Sequence, residues 1–213
     1  VEGGTSSRVY LDGYWGFASA PRCDTPTSER LGNKALANAR AMSRFGNKAP
    51  LAMSEAACQG EYLFSGKSPL SQRDCMTLLS DMEDLCERKY PGLQSRTFIL
   101  HDEHHSKYLA TSTGSRVLNS IQRAACYIFF TVEDDSGNPV ELVETISGKG
   151  GLADLELSLA ALEPRFDQLY EHIQAKKQAV PARGGVHTIV LAPELAGMLA
   201  HEAMGHPCEA DLV

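Results

Sequence analysis

A chain of 213 residues, 43% hydrophobic and 22% charged, has the make-up of one large or two smaller soluble globular domains. Its formal net charge of -7 argues against a phosphate-binding face, and basic pairs such as Lys176-Lys177 read as the solvated side of a helix. No apolar run approaches the roughly 20 residues that span a bilayer, and the six cysteines lack any CxxC pair, which suits reduced cytosolic thiols better than a disulfide framework.

The sequence opens on Val1-Glu2-Gly3-Gly4, with neither Met nor a signal-peptide pattern, and stops soon after its most informative motif. It reads as cut at both ends. The stretch from Arg8 to Ala20 predicts a hairpin: Val9 to Leu11 and Trp15 to Ala18 are β-formers around an Asp12-Gly13 turn. A helix follows from Ser28 to Arg44, stopped near Gly46, and Asn47 to Pro50 connects onward. Ser68-Pro69 reads as an N-cap with proline in the first turn of a second helix, which runs to about Lys89. Met76, Leu79, Met82 and Cys86 recur along it at helical spacing.

From Arg96 the hydrophobic period shortens to that of strands. Thr97 to Leu100, Tyr108 to Thr111, Arg116 to Ile121, Ala125 to Val132 and Val140 to Ile146 predict an antiparallel meander, with turns at Ser112 to Gly114 and Asp134 to Pro139. The cluster His101-Asp102-Glu103-His104-His105 has the composition of a metal patch, but between two predicted strands it reads better as a solvated turn. Ser147 to Gly151 marks a boundary that reads as a flexible joint, since the spacing of a phosphate loop is absent. Leu152 to Leu162 is ambiguous between helix and strand. Pro164 to Gln178 predicts an amphipathic helix with Phe166, Leu169, Tyr170 and Ile173 on one side. Val186 to Leu191 predicts a strand, and Pro193 starts a last helix that runs to about Gly205. The fold class expected is therefore α+β, helices packed on an antiparallel sheet. A domain over residues 1-147 would be followed by the beginning of a second, catalytic domain over 148-213.

The last helix carries the chemistry. Apart from Glu194 its first two turns are apolar or small all round, the mark of a buried helix, and His201, Glu202 and His206 are set at its end. Burying two imidazoles and a carboxylate is costly unless they are paired or hold a metal. Neutral imidazoles suit zinc, and a neighbouring carboxylate can take a proton from an attacking water. The spacing is H-E-x-x-x-H. Residues five apart on a regular helix diverge by about 140°, so the two histidines share one ion only if the helix ends or bulges between them. Gly205 and Pro207 bracket His206, so the helix can stop there and His206 can swing back on non-helical backbone. Two satisfied core histidines and a capping glutamate would share the same spacing. The apolar helix, the preceding strand and the Gly/Pro break favour a metal site.

The segment His201-Glu-Ala-Met-Gly-His-Pro-Cys-Glu-Ala-Asp211 closely resembles the signature of TldD-type peptidases in the TldD/PmbA family. The hairpin Asp12-Gly-Tyr-Trp-Gly-Phe-Ala18 resembles an early motif of that family, Gly148-Lys-Gly-Gly151 its glycine-rich stretch, and Val186 to Leu191 the strand before the metal motif. The resemblance implies His201 and His206 as zinc ligands, Glu202 as catalytic base, and a third ligand, a cysteine, in a C-terminal half outside this chain. Cys208 lies too close to His206 in sequence to share its ion without strain, and Glu209 is better placed to orient a histidine. The resemblance further implies a cytoplasmic peptidase acting on unfolded or small peptides, paired with a homo- or hetero-oligomeric subunit of the same fold. This chain by itself would then be inactive. The competing expectation is a non-catalytic structural or regulatory partner of a related subunit, of the gyrase-modulator type. Stoichiometric zinc discriminates the two.

Overall fold

The computed structural model describes residues 3–46, 56–67 and 69–208. Asp12 and Gly13 both take positive φ, 52° and 85°, which matches the twist of a two-residue hairpin loop. They join β1 (Thr5–Leu11) to β2 (Tyr14–Ala20) as an antiparallel pair in which Tyr10 faces Trp15 and Val9 faces Gly16. Helix α1 (Thr25–Met42) starts three residues before the predicted Ser28, because Asp24 caps it by accepting the Thr27 N–H at 2.7 Å. The helix packs on the hairpin through Leu31, Ala35 and Ala39, at 1%, 0% and 0% exposure. Gly16 is where the two meet most closely: a Cβ there would run into Ala35 O and Ala39 N. The Asn38 amide donates to Phe17 O at 2.8 Å across the same junction.

Contacts divide the chain into two compact units, residues 1–63 with 106–120, and residues 64–105 with 121–213. The hairpin and α1 lie in the first. The second holds the main core, built by α2 (Gln72–Lys89), β4 (Ser95–Ala110), β5 (Arg116–Glu133), β6 (Pro139–Lys149) and α3 (Leu159–Lys177), with β4 and β5 contributing their remaining residues to the first unit. In the sheet, β5 lies between β4 and β3 (Gln59–Phe64), and also pairs antiparallel with β6. Alternation along β5 sends Cys126, Ile128, Phe130 and Val132 into the core, against Met82, Leu85 and Cys86 of α2 and Leu162, Phe166, Leu169 and Ile173 of α3. Phe166 is fully enclosed, with its ring 5.9 Å from Phe98 and 5.7 Å from Phe130. Tyr90, at 3% exposure, donates its hydroxyl to Asp167 at 2.8 Å. Burial, and then the Asp167 carboxylate, hold this phenol above its usual range. The α+β class with helices on an antiparallel sheet is as the sequence predicts.

Several local expectations are corrected. The predicted cap of α2, Ser68, lies outside the described residues. The helix begins at Gln72, where Ser71 and Asp74 form a reciprocal capping box. Met82 and Cys86 lie in the core as predicted, but Met76 is 60% exposed, and Cys75, Leu78 and Leu85 complete the apolar face. The five predicted strands are three. Residues His101 to His105 are not a turn but the middle of β4, and β5 runs without a break through residues 122–124. Strand pairing satisfies the backbone whatever the side chains are, so a polar stretch exposed on a sheet can be mistaken for a loop. Helix α3 starts at Leu159, five residues before the predicted Pro164, with Ser158 as its cap and Pro164 inside. The glycine stretch is not a joint. Gly150 N–H donates to Gln122 O at 2.9 Å, and Asp154 Oδ2 accepts both Gly151 N–H at 2.9 Å and Lys67 N–H at 2.8 Å. Asp102 closes the same knot by accepting Leu152 N–H at 3.2 Å and the Gln122 amide at 3.0 Å.

Among the described residues, no helix is long and apolar enough to cross a membrane.

Candidate metal centre

Helix α4 (Pro193–Ala200) begins with proline in its first turn, where the missing N–H costs nothing, and carries Glu194 near its positive end. The expected strand before it does not form. Residues 186–191 pair with nothing described, and Val186, Ile189 and Val190 are 104%, 73% and 93% exposed. Nor is the helix buried: Leu195, Met198 and Leu199 are 51%, 61% and 54% exposed. Their apolar character reads as burial in the sequence, but no described element supplies the covering surface or the ladder partner that burial and pairing require.

The end of the helix resolves the spacing problem, by a route other than the expected stop. His201 to Gly205 form a π turn, and the His206 N–H donates to His201 O, five residues back. One extra residue in the turn brings position i+5 over position i, as an α-turn does for i+4. His206 therefore stays on helical backbone, with φ -59° and ψ -44°, rather than swinging out on an extended one. The two imidazole centroids are 4.4 Å apart, inclined at 73°. Glu202 Oε2 lies 3.5 Å from His206 Nε2. A short 3-10 turn, His206–Cys208, follows.

Of the residues the sequence singles out, the structure brings together His201, Glu202 and His206, whose ligand atoms lie within 4.8 Å of one another. Cys208 is exposed and outside this group, and Glu209 lies outside the described residues. The donor set fits zinc. Imidazole nitrogens and a carboxylate bind it at about 2.0–2.2 Å, which places two donors of a tetrahedral site about 3.4 Å apart, within reach of small rotations of exposed His201 and Glu202 and half-buried His206.

No family model matches the chain. It is 28% identical to a metalloprotease of Methanocaldococcus jannaschii over 99% of this chain and 46% of that one. A metalloprotease of Synechocystis is 28% identical over 99% of this chain and 44% of its own length. A zinc metalloprotease TldD homolog of Saccharolobus solfataricus is 27% identical over 58% of this chain. Its curated relatives are metalloproteases. The chain spans less than half the length of each. Among solved structures, a Bacteroides thetaiotaomicron protein provisionally described as a modulator of DNA gyrase superposes with a TM-score of 0.66 at 16% identity. That likeness covers 95% of this chain and 46% of the other, and it establishes the fold.

Proposed function

We propose that the chain is the metal-binding part of a zinc-dependent peptidase of the TldD type, acting in the cytoplasm on unfolded or small peptides. The observation that carries this reading is the π turn, which places His201 and His206 with rings 4.4 Å apart on one side of the helix end. Nothing in simple core packing calls for a rare π turn at that point, and such turns gather at functional sites. The metalloprotease relatives lend independent support.

In this reading His201 and His206 hold the metal through imidazole nitrogen, and the third donor, a cysteine by the family resemblance, comes from sequence outside this chain. Zinc, when bound, supplies a Lewis acid that polarises the scissile carbonyl and makes water a better nucleophile. Glu202, one residue from His201 and 68% exposed on its side chain, is free to take the proton from the attacking water and return it to the leaving amine. The catalytic part would begin within residues 148–213, after α3, which belongs to the core of the second unit. The working protein would be an oligomer with a subunit of the same family. A non-catalytic regulatory role, which the description of the structural neighbour brings to mind, predicts no tightly held zinc.

The test uses the protein extended to the length of its relatives. Glu202→Gln keeps stoichiometric zinc by elemental analysis while kcat on an unstructured peptide falls at least a hundredfold, whereas His201→Ala loses the metal itself. Near-normal hydrolysis by Glu202→Gln overturns the mechanism. The 213-residue chain by itself, with two histidine ligands, is expected to hold zinc weakly and to show no peptidase activity.

A further inference from the structure

Alternation along β5 and β6 turns Arg123, Ala125 and Tyr127, and Ser147 and Lys149, to the face opposite the core. On that face they line a cavity of about 510 Å³ together with His101 and Glu103 of β4. Two features of this cavity have no structural rationale. The first is charge: Arg123 and Lys149 are direct partners in the β5–β6 register. Like charges directly opposite each other destabilise a sheet, and among the described residues neither cation makes an ion pair. The one carboxylate lining the cavity, Glu103, lies against His101 at 3.4 Å instead. The second is relief: Ala125 faces Ser147 in the register, and Gly148 follows. This small floor, with Tyr127 beside it, leaves a hollow where larger side chains would fill the space.

We propose that this hollow is a binding site for an acidic peptide segment, whose carboxylate is held between Arg123 and Lys149. An anion between them converts the mutual repulsion of the two cations into two charge-assisted bonds. Guanidinium takes the carboxylate through two parallel N–H donors, and the ammonium adds a third. Glu103 at the rim disfavours a dianion such as phosphate more than a single carboxylate. The small floor and the Tyr127 ring give the rest of the peptide a surface to lie on, and the volume falls in the usual range of about 300–1,000 Å³ for ligand sites. With a net charge of -7, the protein as a whole repels anions, so binding here is local rather than a general surface effect. The sequence reading missed this site because its two cations lie on different strands, and only the register makes them neighbours.

Calorimetric titration of the chain with N-acetyl-tetraglutamate amide at low salt tests the proposal. Saturable binding is expected, absent for the tetraglutamine analogue and weakened at least tenfold in an Arg123→Gln/Lys149→Gln double variant. The Arg22→Gln/Lys34→Gln double variant, with the same charge change elsewhere, should bind within twofold of the parent. If the first double variant fails to fold, Lys149→Gln alone should still weaken binding at least threefold. Equal loss in both double variants, unchanged binding without Arg123 and Lys149, or displacement of the peptide by equimolar inorganic phosphate overturns it.

Discussion

Replacing Gly16 with Ala adds one methyl group at the closest approach in the first unit. That methyl would meet Ala35 O and Ala39 N, main-chain atoms that cannot rotate away. Helix α1 must therefore retreat from β2 by on the order of 1 Å, a gap that already forfeits a quarter to a half of the dispersion energy at each contact. The contacts at stake are those of Leu31, Ala35 and Ala39, all essentially fully buried, and the 2.8 Å bond from Asn38 to Phe17 O. Overpacking costs about 1–3 kcal/mol and the stretched hydrogen bond about 1 kcal/mol more. The stiffer unfolded chain of an alanine variant returns about 0.4–1 kcal/mol. A net loss of about 1–3.5 kcal/mol is expected. Trp15, the sole tryptophan, neighbours the mutated residue and packs on Tyr10 at 5.0 Å, so its fluorescence reports this unit selectively. Urea unfolding followed by that fluorescence should shift to lower denaturant while the helical signal of α2 and α3 holds. A loss below about 0.5 kcal/mol would refute the close-packing argument.

Other outcomes follow from the second unit. Phe166→Ala leaves a cavity among Tyr90, Phe98 and Phe130, and should cost about 3–5 kcal/mol in calorimetric or denaturant unfolding. Burial pushes the Cys86 thiol up to about 12 and the Cys126 thiol to about 11, so neither forms thiolate near pH 8. A thiol reagent should therefore label exposed Cys23, Cys58 and Cys208 rapidly, and Cys86 and Cys126 only on unfolding. Asp74, bonded by Ser71, and Asp167, bonded by Lys89 and Tyr90, are held below the usual carboxylate range. Their stabilisation is present above the unfolded value, about 3.9, and disappears as pH falls through their lower folded values. Stability measured from pH 5 downward should fall, and Asp167→Asn should flatten that slope.

The sequence by itself determined the features that rest on neighbours along the chain. The Asp12-Gly13 hairpin follows from the φ values that the turn demands, and α1 and α2 end where their apolar period ends. The requirement for a helix irregularity between His201 and His206 follows from the arithmetic of residues per turn, and the structure meets it with a π turn. Other features depend on partners distant in sequence. Polarity suggests a turn at His101 to His105, but pairing with β5 decides that β4 runs through it. Composition suggests a loose hinge at Ser147 to Gly151, but Asp102, Gln122 and Asp154 bind it down. The cross-strand pairing of Arg123 with Lys149 is likewise a matter of register. Even the apolar face of α4 states a need for cover that no described residue meets. Backbone torsions and periodicity act over a few residues and are written locally. Hydrogen-bond partners and buried faces are settled only when segments far apart in the chain come together.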